Sequence, residues 1–427
     1  MVQVGLTAMG FVDTLMAGHL SAHVLAAVAI GNLFFFTISH LATGTLMALD
    51  PLVSQALGAG DAQRAAAAVQ RGLILSIGLA LGVTALMLPA RSLLVLLGQP
   101  TEIVTDAAAY LHVSIPGVLP FLVFVVLRQS LQAMHRVAAV VWVILATNAL
   151  NAALNWVFLF GHAGSPPLGA IGSALATCIA RWVMALGLLV IGWPSLRTML
   201  VPLHREIRDA GALRHMLGIG VPIGLQQLLE AGAFGAVGLL MGRLGVTALA
   251  AHQVAISLAA LTFMVPLGVG AAAAVRVGHA IGARDAGRVQ AATRAAYICG
   301  VGFMCITAAA FLLVPGRLAA LMTRDPAVVA VASLLIPIAG VFQVFDGGQA
   351  VGAGVLRGMG DTRAPLIAML AGYWLIGIPL SALLAFRSGL GATGLWWGFV
   401  ASLGAVAGYL ASRIRSLSVD GDRSGGR

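Results

Sequence analysis

The segment VPIGLQQLLEAGAFGAVGLLMG occupies residues 221–242 and carries one charged side chain, Glu230. The nearest charges outside it are Arg214 and Arg243. A helix of that length, at about 1.5 Å per residue, crosses the roughly 30 Å hydrocarbon core of a bilayer. Glu230 then lies near mid-depth, where a charge costs roughly 2.5 kcal/mol or more. A glutamate kept at that depth calls for either a use or a partner.

The surroundings of this segment are of the same kind. Of the 427 residues, 60% are hydrophobic and 9% are charged, and the mean hydropathy is +1.00. A soluble chain cannot hide that much apolar surface. Apolar runs of about 20 residues recur throughout, whereas the alternating ~10-residue segments of an outer-membrane barrel are absent. The net charge of +10 comes entirely from arginine and falls in short loops, not in one patch, so nucleic acid is not an expected partner. Cys178, Cys299 and Cys305 lie in apolar runs without metal-ligand spacing, which argues against a disulfide framework and against zinc. The N-terminus has neither a basic n-region nor a cleavage site of small residues and does not read as a signal peptide.

Apolar runs punctuated by Gly, Pro and Arg predict an all-α polytopic membrane protein with twelve transmembrane helices. They fall near 1–18, 26–48, 69–90, 107–127, 138–160, 169–192, 216–241, 247–273, 291–314, 328–355, 364–386 and 392–411. Eighteen of the 24 arginines lie in the tail or in and at the edges of the loops after even-numbered spans, counting Arg71 and Arg294 at the span ends, and five lie in the loops after odd-numbered spans. By the positive-inside rule the even loops and both termini face the cytoplasm. The chain also repeats itself. QALGAGDAQRAAAA at 55–68 resembles HAIGARDAGRVQAA at 279–292, and LGAIG at 168–172 resembles LGATG at 390–394. The expected organisation is therefore two pseudo-symmetric six-helix bundles, residues 1–192 and 216–411, joined by a cytoplasmic loop at 193–215 and followed by a tail at 412–427. Parallel repeats of this kind are a transporter architecture.

Three acids fall inside the spans: Asp13 in the first, Glu230 in the seventh and Asp346 in the tenth. Desolvation disfavours the charged carboxylate, so a buried one readily takes up a proton or a small cation. Glu230 and Asp346 facing one another would also suit Na⁺. The alternative is permanent pairing with a base as structural glue, for which Arg181 is the main candidate at that depth. Asn148, Asn151 and Asn155 form a polar stripe on the fifth span that either ties helices together or lines a cavity with Asp13. Gln226, Gln227 and Phe342 are further candidates for cavity lining. Aromatic residues such as Phe34, Phe35, Phe36, Trp142, Trp156, Tyr373, Trp374, Trp396 and Trp397 are able to hold an organic cation, although an interfacial belt is their default role. His19 and His23 have metal-like spacing but no third ligand, Asp61 and Asp285 read as loop structure, and Asp50 before Pro51 reads as a kink or helix end.

Several stretches together resemble the multidrug and toxic compound extrusion (MATE) family, and within it the NorM branch. They are VDTLMAG at 12–18, LMALDPLVSQALGAGD at 46–61, NALNAALNWVFLFG at 148–161, AAHQVA at 250–255, RVGHAIGARD at 276–285 and LRGMGDTRAP at 356–365. The resemblance implies secondary active efflux of amphipathic, often cationic drugs across the bacterial inner membrane by a monomer. It implies no cofactor, only Na⁺ or H⁺ as the coupling ion. It also implies that Asp13 belongs to a first-bundle site and that Glu230 and Asp346 form the cation site of the second bundle. Two departures stand out: some relatives carry a Tyr where Phe342 stands, and their first helix is longer, so that either Met1 lies downstream of the usual start or the first span is barely long enough to cross.

A lipid-linked sugar flippase of the same fold superfamily is the nearest alternative, but it calls for an Arg-rich cavity and the spans offer only Arg181. A major facilitator carrier would have an Arg-rich signature after its second span, where this chain has LGAGDAQRA. A membrane-embedded enzyme is disfavoured because the chain has no H-E-x-x-H and no nucleotide-binding loop.

Overall fold

The computed structural model describes residues 2–204, 207 and 209–424, and every regular element among them is helical. The long helices are α1 (Val2–Leu20), α2 (Ala22–Gly58), α3 (Ala62–Met87), α4 (Thr101–Ala133), α5 (Val137–Phe158), α6 (Gly169–Leu200), α7 (Ala210–Arg243), α8 (Val246–Gly282), α9 (Ala286–Leu313), α10 (Pro326–Met359), α11 (Arg363–Arg387) and α12 (Gly391–Ser424). Two short helices, Ala90–Leu96 and Pro315–Met322, lead into α4 and α10.

Among the described residues eleven helices, α2 to α12, are long and apolar enough to cross a membrane. α1 is 19 residues long, and Gln3, Asp13 and His19 dilute its apolar character. The expected spans and the helices coincide to within a few residues at most ends. The largest discrepancies are extensions: α12 runs to Ser424 through the segment that the sequence reads as a tail, α2 runs to Gly58 and α8 to Gly282, and α6 and α7 take both ends of the segment 193–215 that the sequence reads as a loop. Burial of Leu196 and Met199 explains the extension of α6, since apolar packing carries it past Pro194. Gln70 of α3 then holds the short connection. Its Nε2 donates to the carbonyls of Met199 at 3.0 Å and Pro202 at 2.9 Å, while its Oε1 accepts from the His204 amide at 3.0 Å.

Local chemistry sets several of the helix ends. In the two copies of the repeated turn, Asp61 caps α3 by accepting from the Arg64 amide at 2.8 Å, and Asp285 caps α9 by accepting from the Arg288 amide at 2.9 Å. The residues just before them, Gly60 and Arg284, both lie in the left-handed region, at φ 76° and 56°. Asp325 caps α10 with Pro326 at its first position, and Gly360 at φ 87° ends it. α2 is interrupted at Met47–Ala48 and resumes at Leu49, with Asp50 and Pro51 in the first turn of the resumed piece.

The second half departs from regular geometry in α11, where Leu370–Gly377 and Leu383–Arg387 adopt π-helical hydrogen bonding. Pro379 lies between the two stretches and supplies no amide donor. Side chains compensate: Ser402 donates to the Gly372 carbonyl at 2.6 Å, and Ser381 donates to the Leu395 carbonyl at 2.9 Å. Gly377 and Gly398 permit the approach, because a Cβ on either would fall within 2.8 Å of α12 or α11 atoms. By packing, the chain divides into two compact units between Gly224 and Leu225, with the turn Gly58–Gly60 grouped with the second.

Candidate functional site

In the first unit the chemistry gathers on Asp13, which is 1% exposed. Its Oδ1 accepts from Asn155 Nδ2 at 2.6 Å and its Oδ2 from the Thr177 hydroxyl at 2.8 Å. Asn151, one turn before Asn155 on α5, donates from Nδ2 to Thr177 Oγ1 at 3.2 Å and offers its own Oδ1 to Asn155 at 3.3 Å. α1, α5 and α6 thus meet on one carboxylate held by neutral donors, which stabilise a negative charge without cancelling it. Asn148 does not join them. Its Nδ2 donates to the Gly5 carbonyl at 2.8 Å and ties α5 to α1, so the asparagine stripe splits into one helix tie and two cavity residues.

Arg181 lies one turn beyond Thr177 and is 4% exposed. Its guanidinium sits 3.7 Å from the centroid of the Phe35 ring and 5.5 Å from that of Phe121. A desolvated cation–π contact returns about 2 kcal/mol, against roughly 2.5–3.5 kcal/mol for a charge at mid-membrane. Asp13 lies within electrostatic range and offsets part of the remainder, yet the two form no ion pair within 4.0 Å. Among the described residues none of the three intramembrane acids has an ion-pair partner.

The second unit is built differently. Glu230 projects from α7, Asp346 from α10 and Tyr373 from the first π stretch of α11, close enough to interact electrostatically. Asp346 is 4% exposed; its Oδ1 and the Tyr373 hydroxyl are both buried without a hydrogen-bond partner. The Trp374 indole donates to the Leu229 carbonyl at 3.1 Å and fixes α11 against α7 beside the glutamate. Around the acids stands an aromatic cluster. Phe342 stacks on Phe399 at 5.8 Å and 3°, Phe234 meets Phe399 edge-on at 5.1 Å, and Tyr373 lies 5.4 Å from Phe399. Trp396 packs against Phe342 at 5.4 Å and His252 against Trp396 at 5.6 Å.

Gln226 is buried one turn before Glu230, with Gln227 beside it on α7. On α10, Gln343, Asp346 and Gln349 are all buried at three-residue spacing, and Thr262 of α8 donates to Gln343 Oε1 at 2.8 Å. That polar stripe is legible in the sequence by the reasoning that finds the asparagines, yet only its acid was singled out. Thr177, Phe234, Phe399 and His252 were missed too. A lone Thr, Phe or His in an apolar run carries no periodic signal.

Other candidates fall away from both clusters. His19 Nδ1 bonds the Leu15 carbonyl and His23 Nε2 bonds Asp106 at 2.8 Å, so the two do not converge. Trp142, Trp156 and Trp397 are exposed on helix surfaces, as an interfacial belt requires. Among the described residues no group of three or more His, Cys, Asp or Glu is gathered in the manner of a transition-metal site. A hard monovalent cation in the second unit would instead meet Glu230, Asp346 and neutral oxygens such as that of Tyr373.

Comparison with known proteins gives a consistent result. The MatE family model matches residues 1–157 and 222–383. A protein of Rhizobium meliloti (strain 1021), named as a probable multidrug resistance protein NorM, is 38% identical over 425 residues, covering 97% of this chain and 90% of its own. The multidrug resistance protein NorM of Burkholderia vietnamiensis is 38% identical over 420 residues, covering 96% and 90%. A crystal structure of a MATE protein in a bent conformation superimposes with a TM-score of 0.89 at 22% identity, covering 100% of this chain and 95% of the other.

Proposed function

Because the chain belongs to the multidrug and toxic compound extrusion (MATE) family of membrane transporters, we propose that it exports amphipathic, cationic organic compounds in exchange for Na⁺ or H⁺. The observation that carries this reading is the pair Glu230 and Asp346, two acids inside one helical unit, neither of which has an ion-pair partner among the described residues. Two carboxylates in electrostatic contact repel when both are charged, so the pair gains from a bound proton or Na⁺. An ion entering there shifts the transporter between states only by its differential affinity for them. Compound release follows where the ion and the compound favour opposite states, with a coupling of about 1–3 kcal/mol.

The residues divide the labour in this reading. Glu230 and Asp346 take the ion, with Tyr373 as an added oxygen donor in place of the hydroxyl lost at Phe342. In the second unit the rings of Phe234, Phe342, Phe399 and Trp396 take the flat apolar body of a compound, and in the first unit Asp13 takes a cationic group. The inner membrane of a bacterium, with both termini cytoplasmic, is the location that the arginine distribution supports.

The deciding experiment uses purified protein in liposomes loaded with ethidium, with efflux followed under an inward Na⁺ gradient alone and an inward H⁺ gradient alone. Efflux under one gradient that Glu230→Gln and Asp346→Asn each abolish, with insertion intact, is the expected result. Normal gradient-driven efflux in both variants removes the reading.

A further inference from the structure

Ion coupling uses nothing from the stretches RVGHAIGARD and LRGMGDTRAP, yet both border a cavity in the second unit. It lies at the face that the arginine distribution assigns to the cytoplasm. Its volume is about 490 Å³, within the range of small-molecule sites. Val289, Met359 and Leu417 give it apolar walls, and Gln290, Asp361 and Arg413 line it with polar groups. Arg413 Nε donates to Asp361 Oδ2 at 2.8 Å, while Asp361 Oδ1 caps α11 by accepting from the Ala364 amide at 3.2 Å. On α9, Gln290, Thr293 and Tyr297 share one face, as Leu410, Arg413 and Leu417 do on α12. Gly352 of α10 lies where these two faces meet: a Cβ there would fall 2.8 Å from the Tyr297 hydroxyl and 3.2 Å from the Leu410 Cβ. Tyr297 and Leu410 thus close the inner end of the cavity. The hydroxyls of Thr293 and Tyr297 are buried on that side with no hydrogen-bond partner among the described residues.

We propose that this cavity binds a phospholipid of the cytoplasmic leaflet by its ethanolamine headgroup, with the phosphate on Arg413 and the ammonium on Asp361. The guanidinium fork matches a phosphate in geometry, and charge-assisted bonds of this kind are the strong ones. A purely anionic headgroup would meet the Asp361 carboxylate as a like charge, whereas a zwitterion satisfies both residues. The Arg413–Asp361 pair is partly exposed and therefore weak, so exchanging it for two contacts with a headgroup costs little. Depth agrees with the same occupant. The headgroup lies at the helix ends, and the Thr293 and Tyr297 hydroxyls, one and two turns further in than Gln290, donate to its ester oxygens. Apolar walls at the ends of membrane-spanning helices select a lipid over a soluble molecule. The inference goes beyond the transport reading and holds whichever ion drives it.

The test offers the delipidated full-length protein in detergent an equimolar mixture of phosphatidylethanolamine and phosphatidylglycerol with identical acyl chains. Retained lipid is then counted by native mass spectrometry. The expected result is a preference for phosphatidylethanolamine of about tenfold, the size of one charge-assisted hydrogen bond. Asp361→Asn keeps the helix cap, because Asn serves there as well as Asp, and is expected to bring the two lipids to parity. Arg413→Gln is expected to lower retention of both. If that variant does not fold, Arg413→Lys carries the test by keeping the charge, losing the fork and lowering retention severalfold. Equal retention by the wild type, or an unchanged preference in Asp361→Asn, overturns the site. So does an equal loss in Arg387→Gln, an exposed arginine at the other end of α11. Glycerophosphoethanolamine, the soluble headgroup without acyl chains, is expected to leave the lipid bound; full displacement at equal concentration would replace the lipid by a soluble ligand. Lipid retention is read without any ion gradient, so its failure leaves the transport reading standing.

Discussion

The two units place acids inside the membrane and surround them in opposite ways. Asp13 is wrapped by donors, with Asn155 and Thr177 bonded to its two oxygens and Asn151 behind them. Asp346 leaves an oxygen unclaimed, and its neighbours are rings and another acid. The repeat shows where the change lies. Aligning LGAIG at 168–172 with LGATG at 390–394 puts Thr177 on Phe399 and Arg181 on Leu403. The donor and the cation of one half are a ring and an aliphatic side chain in the other. A duplicated scaffold has kept its helices and exchanged the chemistry on one face, so the first carboxylate is held by donors and the second pair is not.

That contrast can be broken most sharply in the second unit. Glu230→Gln and Asp346→Asn are each expected to cut gradient-driven efflux about 100-fold, near the upper end of ordinary coupling energies. The double variant is expected to be no worse than either single one, since the two acids act as a unit. Additive losses would show two independent sites. In the first unit Thr177→Val is expected to act more mildly, weakening transport roughly tenfold by leaving one Asp13 oxygen without its donor. A loss as large as that of Asp346→Asn would mean that the two units do not differ in role.

Stability offers a finer version of the comparison. Asn155→Leu removes a bonded donor beside a buried carboxylate and is expected to cost about 1–3 kcal/mol, read as a lowered unfolding midpoint in detergent. Gln349→Leu in the second unit removes a side chain whose Oε1 has no partner and is expected to be near neutral. The smallest effect belongs to the duplicated turn, where Asp61→Ala and Asp285→Ala should each cost about 1 kcal/mol as lost helix caps. Their equality would mark the caps as scaffold common to both halves, and a difference would show that one turn does more than end a helix.

Much of this was legible in the sequence, and unevenly so. The spans could be read because bilayer thickness demands long apolar runs, and the acids because a charge within such a run stands out. The Asp13 cluster was half legible: Asn151 and Asn155 announce themselves by spacing, whereas Thr177 is one hydroxyl in an apolar helix. Asn148 shows the limit of a periodic argument, since a stripe one residue longer turns its end toward a different neighbour, here the Gly5 carbonyl. The aromatic cluster was least legible. Phenylalanine faces lipid by default, and only packing reveals that Phe234, Phe342 and Phe399 face each other. The ends of the 193–215 segment were hidden for a similar reason: Leu196 and Met199 keep α6 helical through burial, which composition does not report.

The π-helical turns of α11 have a genetic consequence. A π turn closes its hydrogen bond over one residue more than an α turn, so the stretch Leu370–Gly377 behaves as an α-helix into which an extra codon has been inserted. Losing one codon there would restore regular α geometry and leave both flanks on their present faces, because the π turn had taken up the extra residue. The change would be confined to the stretch itself, where Tyr373 and Trp374 would leave the positions they hold beside Asp346 and Leu229. In-frame insertions and deletions, not only substitutions, are thus a route by which this lineage could gain or lose the second-unit site while keeping every residue that composes it.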